Sequence, residues 1–242
     1  MKKLAAIFAV LALVGATVVA SAADNAAQTG FSRNTTVIEG PSPDQDCGAA
    51  ILAVQDDGSF ENGYAWQAGG SVPPDYGAWA ECYSNAFVCS IEYYFTQIGY
   101  QAGQTIDAYV WADAGGNPGT VLCVLTGVAV SPVAFWPSAS IHSSGAINCC
   151  PNGSHFVGFW GNWPGQTAGW FICSDEDGFG LGCPRMNVAP GIGYPTGWNH
   201  PLVVPTFSGC QDLFIHEWYL TECDGEPTAT ETKTWGQIKT LY

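Results

Sequence analysis

Four histidines, two acidic turns and one tryptophan-dense stretch carry the side chains with which this chain could do chemistry. His216 directly precedes Glu217, but neighbours on a strand point to opposite faces, so the two are not expected to form an acid/base pair. His142, His155 and His200 stand in separate segments. There is no Gly-x-Ser-x-Gly elbow, no His-Glu-x-x-His and no phosphate loop, so no nucleophile, base or metal constellation announces a reaction. A carboxylate pair for glycoside hydrolysis is defined by separation in space, which keeps a secreted glycoside or ester hydrolase as the last of three functional alternatives.

The acidic turns are Asp56-Asp57-Gly58 and Asp175-Glu176-Asp177-Gly178. Clustered carboxylates suit calcium, a hard ion that takes several oxygen ligands, although neither turn has the spacing of an EF-hand loop. The second turn lies between Cys173 and Cys183, so Asp175, Glu176 and Asp177 form the candidate calcium set. The tryptophan-dense stretch runs from Phe159 to Trp170 and mixes flat rings with amides. Trp160, Asn162, Trp163, Gln166 and Trp170 are therefore the candidate sugar-contacting residues, by stacking and by hydrogen bonding to hydroxyls. Large aromatics are also ordinary core material, a reading favoured for Trp160 and Trp170. Trp163, between Asn162 and Pro164, is the better candidate for a surface loop.

The elements that must position these groups read as strands. Short runs rich in Val, Ile, Tyr, Phe, Trp and Thr recur between Gly, Pro, Asn and Asp, and no segment sustains a helical apolar period. Strands are expected near 48–54, 62–67, 77–84, 87–98, 105–112, 120–130, 154–160, 168–174 and 211–220. In the fifth, Ile106, Ala108 and Val110 alternate with Asp107, Tyr109 and Trp111, which predicts one buried and one decorated face. In the last, both alternating sets carry large apolar groups, which predicts cover on both sides. The fold class expected is all-β: an antiparallel, jelly-roll-like β-sandwich.

All ten cysteines (Cys47, Cys82, Cys89, Cys123, Cys149, Cys150, Cys173, Cys183, Cys210 and Cys223) fall after residue 46. No Cys-x-x-Cys pair or Cys/His quartet at zinc spacing is present, so they read as up to five disulfides stapling the sandwich. Local candidates are Cys82 with Cys89, Cys173 with Cys183, and Cys210 with Cys223. Adjacent Cys149 and Cys150 must bond to different partners.

Residues 1–22 have the layout of an export signal: Lys2 and Lys3, an apolar run from Leu4 to Val19, then Ala20, Ser21 and Ala22. Residues 23–46 read as a polar extended leader, 47–223 as the sandwich domain, and 224–242 as a Thr-rich linker with a cationic tail. No later run is apolar enough to span a bilayer, so no transmembrane segment is expected in the mature chain. The expected location is outside the cell or on its surface. With 21 acidic against six basic residues, and Arg185 the one Lys or Arg between Asn34 and Thr232, nucleic-acid binding and anionic membranes are disfavoured.

The stretch Tyr76 to Leu125, with Ile91-Glu92-Tyr93-Tyr94-Phe95, Gly103 to Trp111 and the Gly115-Gly116-Asn117-Pro118-Gly119-Thr120 turn, resembles β-sandwich modules of uncharacterised secreted bacterial proteins. The ending Thr234-Trp235-Gly236-Gln237-Ile238-Lys239 is similar to short C-terminal sorting-type tails of exported bacterial proteins. The resemblance implies secretion and a sandwich, and no reaction. The function expected from the sequence is a non-catalytic extracellular or cell-surface protein, structural or adhesive, or a binding module. Its partners would be a glycan, a matrix or surface component, or further copies of itself, with the leader adding a strand to a neighbour's sheet. A carbohydrate-binding module using residues 159–170 is the first alternative.

Overall fold

The computed structural model describes residues 46–65, 76–99, 105–161, 170–178 and 180–223. The export signal, nearly all of the leader and the tail lie outside the described residues, as do Asn162, Trp163 and Gln166. The fold is all-β, with two sheets packed face to face. β1 (Ile51–Ala53), β2 (Asn62–Tyr64), β3 (Trp79–Tyr83), β4 (Phe87–Gln97), β5 (Thr105–Asp113) and β6 (Pro118–Ala129) are followed by β7 (Ala134–Phe135) and β8 (Ser140–Ser143). Then come β9 (His155–Gly161), β10 (Trp170–Asp175), β11 (Arg185–Val188), β12 (Gly197–Asn199), β13 (Asp212–Leu213) and β14 (Ile215–Leu220). The first sheet has eight strands in the order β1-β14-β4-β10-β13, with β2 on β10 and β7 and β8 on β4. The second has six, in the order β12-β11-β3-β9-β5-β6. Pairings are antiparallel except that of the two-residue β7 with β4.

The nine expected strand segments all carry strand, and the last divides into β13 and β14. Four further strands, β7, β8, β11 and β12, lie in Pro-, Ser- and Gly-rich sequence that reads as loop. Each has two to four residues and is held by its pairing partner rather than by its own alternation. The β5–β6 hairpin follows from turn chemistry: Asp113 accepts from the Gly116 amide at 2.6 Å, and the Ala114 amide donates to the Asn117 carbonyl at 2.8 Å.

β4 is the spine of the larger sheet. Its first half pairs with β14, from Leu220 opposite Phe87 to Ile215 opposite Tyr93, and its last residues pair with β10. Because β10 runs antiparallel to both β4 and β13, while β14 is antiparallel to β4, the chain reverses direction at Phe214. There the Phe214 amide donates to the Cys173 carbonyl and its carbonyl accepts from the Tyr94 amide, so residues 212–215 fill the fork where β10 leaves β4.

The principal core lies between the sheets and includes Trp79, Ile91, Tyr93, Phe95, Ile106, Val110, Phe159, Trp170, Ile172 and Ile215. The expected decorated face of β5 is corrected: Tyr109 and Trp111 are buried in a second cluster on the outside of the smaller sheet. Their rings stack on each other at 5.0 Å, and Trp198 meets Trp111 edge-on at 5.4 Å. For β14 the two-sided cover holds over its first half. Ile215 and Glu217 face the core, whereas Phe214 and His216 are buried from the other side by the 54–61 segment, which brings Phe60 and Asp56 against them.

Four disulfides form, Cys47–Cys89, Cys82–Cys183, Cys123–Cys149 and Cys150–Cys223, so Cys149 and Cys150 do take separate partners. The three local pairings are corrected, and Cys173 and Cys210 are free and buried. Strand parity explains the free pair. Cys210 belongs to the inter-sheet core, while Cys173 alternates with the core residue Ile172 and points out of the opposite face. Burial pushes the Cys173 thiol up to about 12 and the Cys210 thiol higher still.

Polar contacts cross the core at several points: the Tyr83 hydroxyl donates to the Ile215 carbonyl at 2.7 Å, the Tyr93 hydroxyl donates to the Gly158 carbonyl at 2.9 Å, and an acid meets an imidazole. His155 of β9 places Nε2 2.7 Å from Glu217 Oε2 of β14, and both side chains are fully buried. His155 Nδ1 lies 2.7 Å from the Gly153 carbonyl, which can only accept, so Nδ1 carries its hydrogen. One further proton is thus shared between Nε2 and the carboxyl. Asn85 Nδ2 donates to the other oxygen of Glu217 at 3.0 Å.

Two measurements follow. His155→Ala leaves Glu217 buried without its partner and should cost about 3–5 kcal/mol in urea unfolding. Thiol titration without reductant should find no reactive thiol in the native protein and two per chain after unfolding, those of Cys173 and Cys210.

Candidate ligand-binding face

The outward side of the larger sheet carries a row of rings contributed by four separate segments. Tyr94 of β4 lies 4.9 Å from His216 and 5.4 Å from Phe214, centroid to centroid. Phe214 in turn meets Phe60 edge-on at 5.9 Å, and Phe60 meets Trp136 edge-on at 5.7 Å. Phe214 and His216 form the buried floor, Tyr94 and Phe60 are half-buried, and Trp136 is 43% exposed. Ile141, the register neighbour of Tyr94 on β8, adds an exposed apolar side chain to the same face.

The row is anchored by a carboxylate. Glu92 Oε1 accepts from the Tyr94 hydroxyl at 3.1 Å, and Oε2 accepts from the Trp218 indole nitrogen at 3.0 Å. These contacts fix the Tyr94 and Trp218 rings against the strand ladder and leave lone pairs of Glu92 at a part-exposed position. Burial, followed by the Glu92 charge, pushes the Tyr94 phenol up to about 12, so it remains a donor at physiological pH. Beneath them His216 Nε2 contacts Asp56 Oδ2, while its Nδ1 stands 4.0 Å from Glu92 Oε1. His216 and Glu217 are indeed not a pair with each other. Each takes a carboxylate or imidazole partner on its own side of β14.

Of the residues proposed from the tryptophan-dense stretch, Trp160 and Trp170 do not make this face, and Asn162, Trp163 and Gln166 lie outside the described residues. Trp170 is fully buried in the inter-sheet core. Trp160 is buried in the outer cluster of the smaller sheet, its indole nitrogen donating to the Tyr76 carbonyl at 3.1 Å. As core rings they offer no stacking surface, and this corrects their candidacy. The face was missed because its rings are scattered from Phe60 to Trp218. The available signal was the shared parity of Phe214, His216 and Trp218.

The two acidic turns, read separately in the sequence, meet in space. The Asp57 amide donates to Asp175 Oδ2 at 3.1 Å, and the Asp177 and Gly178 amides donate to Asp175 Oδ1 at 3.0 and 2.6 Å. A side chain at Gly178 would collide with Asp175, so the bare α-carbon permits this close turn. Glu176 is drawn away to Asn62 and the Tyr64 hydroxyl, and Asp57 takes its place beside Asp175 and Asp177.

Two further carboxylates are fully buried nearby. Glu81 Oε1 accepts from the Cys82 and Cys183 amides at 3.1 and 2.6 Å, and Oε2 accepts from the Leu213 amide at 3.1 Å. Burial nevertheless pushes Glu81 up to about 8. Asp212 sits over Gly182, where a methyl group would collide with Asp212 Oδ1 and lie 3.1 Å from Glu81 Oε1. Burial, with the charges of Asp175 and Asp56, pushes Asp212 up to about 6 against the opposing influence of the Gly182 amide.

A cavity of about 380 Å³ opens at the end of the sandwich beside Gln55, Asn85, Asp113, Ser154 and His155. Both ring nitrogens of His155 are engaged, so the imidazole serves there as a strut between the sheets. The chain matches no family model, no curated protein and no solved structure.

Raised carboxyl values make the folded state the better proton binder. The stability that Asp212 and Glu81 contribute is complete below their ordinary values of 3.8 and 4.5 and is lost as pH rises through about 6 and about 8. The melting temperature in chelated buffer should therefore fall from pH 5 to pH 8. Asp212→Asn should flatten the part of that slope below about pH 6 in differential scanning calorimetry.

Proposed function

We propose that this protein is a non-catalytic extracellular binding module that holds a neutral glycan of a cell surface or matrix on the outer face of its larger sheet. The observation that carries the reading is the ring row from Trp136 through Phe60 and Tyr94 to Trp218, with Glu92 fixed among the rings. Aromatic faces stack on the apolar faces of pyranose rings, and a carboxylate with free lone pairs accepts from their hydroxyls. A formal charge of −15 works against uronate-rich and sulfated polymers, which narrows the ligand to uncharged sugars. Four disulfides are compatible with an oxidising extracellular compartment, and among the described residues no helix is long and apolar enough to cross a membrane.

The test is a glycan array followed by titration of the best ligand. Neutral glycans should bind and uronate polymers should not. Trp136→Ala, at an exposed position the fold tolerates, should weaken binding about ten-fold, equivalent to ~1.4 kcal/mol. Glu92→Gln should weaken it while leaving the melting temperature close to that of the parent. An array without neutral-glycan signal, or full affinity in both variants, would remove the proposal.

A further inference from the structure

Among the described residues Asp56, Glu81, Asp175, Asp212 and Glu217 are buried acids, and Arg185 is the one Lys or Arg. Arg185 is engaged elsewhere, donating to the carbonyls of Gly116, Cys183 and Pro184 and to Asn117 Oδ1. Asp56 has His216 and Glu217 has His155. Glu81 and Asp175 each accept from three backbone amides. Asp212 differs from all four: it is fully buried, and apart from the close approach of the Gly182 amide neither oxygen has a hydrogen-bond partner. A buried carboxylate in that condition calls for a counter-charge.

Asp212 is the register partner of Asp175 across the β10–β13 ladder, so their side chains share one face of the sheet. On that face Asp57, Asp175 and Asp177 each present a ligand oxygen, all within 4.8 Å of one another. Asp57 and Asp177 are exposed and Asp175 is buried, which gives an opening to solvent on one side and a fixed anchor on the other. The Asp175 oxygens are oriented by amides, which use one or two lone pairs of each oxygen and fix the direction of the rest.

We infer that Asp57, Asp175 and Asp177 hold a hard divalent cation of the calcium class, whose charge also compensates Asp212 behind them. Three carboxylate ligands with the remaining positions open to water suit the flexible, oxygen-rich coordination of calcium better than the strict octahedron of magnesium. The ion would tie the 56–59 turn to the β10–β13 edge, where the Asp57 amide already donates to Asp175. The site is separate from the aromatic row and does not depend on the glycan reading.

The experiment uses the full chain with its disulfides intact, stripped with chelator and dialysed. Calcium chloride is titrated by calorimetry, and melting is followed with and without the ion. Saturable heat and a rising melting temperature are expected, with affinity in the range of extracellular modules, about 0.1–1 mM, and magnesium weaker. Asp57→Asn and Asp177→Asn, both at exposed positions, should melt like the parent in chelator and lose calcium affinity by about ten-fold or more. Asp107→Asn, on β5 of the other sheet, should bind as the parent does. Absence of heat and of any melting shift up to about 10 mM calcium would overturn the inference. Parent-like affinity in the Asp57→Asn and Asp177→Asn proteins would overturn it equally.

Discussion

The scarcity of positive charge governs how this sandwich is built. With one guanidinium in the described structure, and that one engaged with carbonyls and an amide, four of the five buried acids, all but Asp212, are served by imidazoles and backbone amides. Each solution ties two distant segments together. Glu81 joins β3 to the residues before β11 and to β13, and Asp175 joins the end of β10 to the 56–59 turn. Glu217 joins the two sheets through His155. Amide donors are fixed in number and direction by the chain path, so such contacts specify the path more tightly than mobile lysine or arginine partners would.

The disulfides reinforce the same plan. Cys123 on β6 belongs to the smaller sheet, whereas Cys149 exchanges backbone hydrogen bonds with Val88 of β4, so their bond crosses from one layer to the other. Its neighbour Cys150 reaches Cys223 just beyond β14. Two consecutive residues therefore connect one edge of the smaller sheet to two strands of the larger. Cys47–Cys89 and Cys82–Cys183 lie within the larger and smaller layers respectively, each fastening an irregular segment to a strand. Local proximity in sequence had no part in these pairings, because antiparallel strands that are neighbours in a sheet are often distant along the chain.

What was legible in the sequence was the set of strands whose own side chains define them. β5 alternates cleanly, and 87–98 and 211–220 are dense in aromatic and branched residues, so their burial follows from composition. β8 and β12 have no such signature and exist because β4 and β11 offer unpaired edges. The aromatic row escaped detection for a related reason. Phe60, Tyr94, Trp136 and Trp218 share no local motif, and only the three-dimensional path gathers them. The tryptophan-dense stretch, by contrast, drew attention through local density, yet its two described tryptophans are spent on packing. The acidic turns were legible one at a time, and their meeting was not.

β14 carries His216 toward one side of its sheet and Glu217 toward the other, each matched to a specific partner, Asp56 outside and His155 within. Displacing this strand by a single position against β4 would exchange the two sides. An imidazole would then enter the space built for a carboxylate facing His155, and an acid would be thrust against Asp56 and Glu92. Both errors arise from one slip and neither relieves the other. The dipeptide thus acts as a frame check on the alignment of β14 with β4.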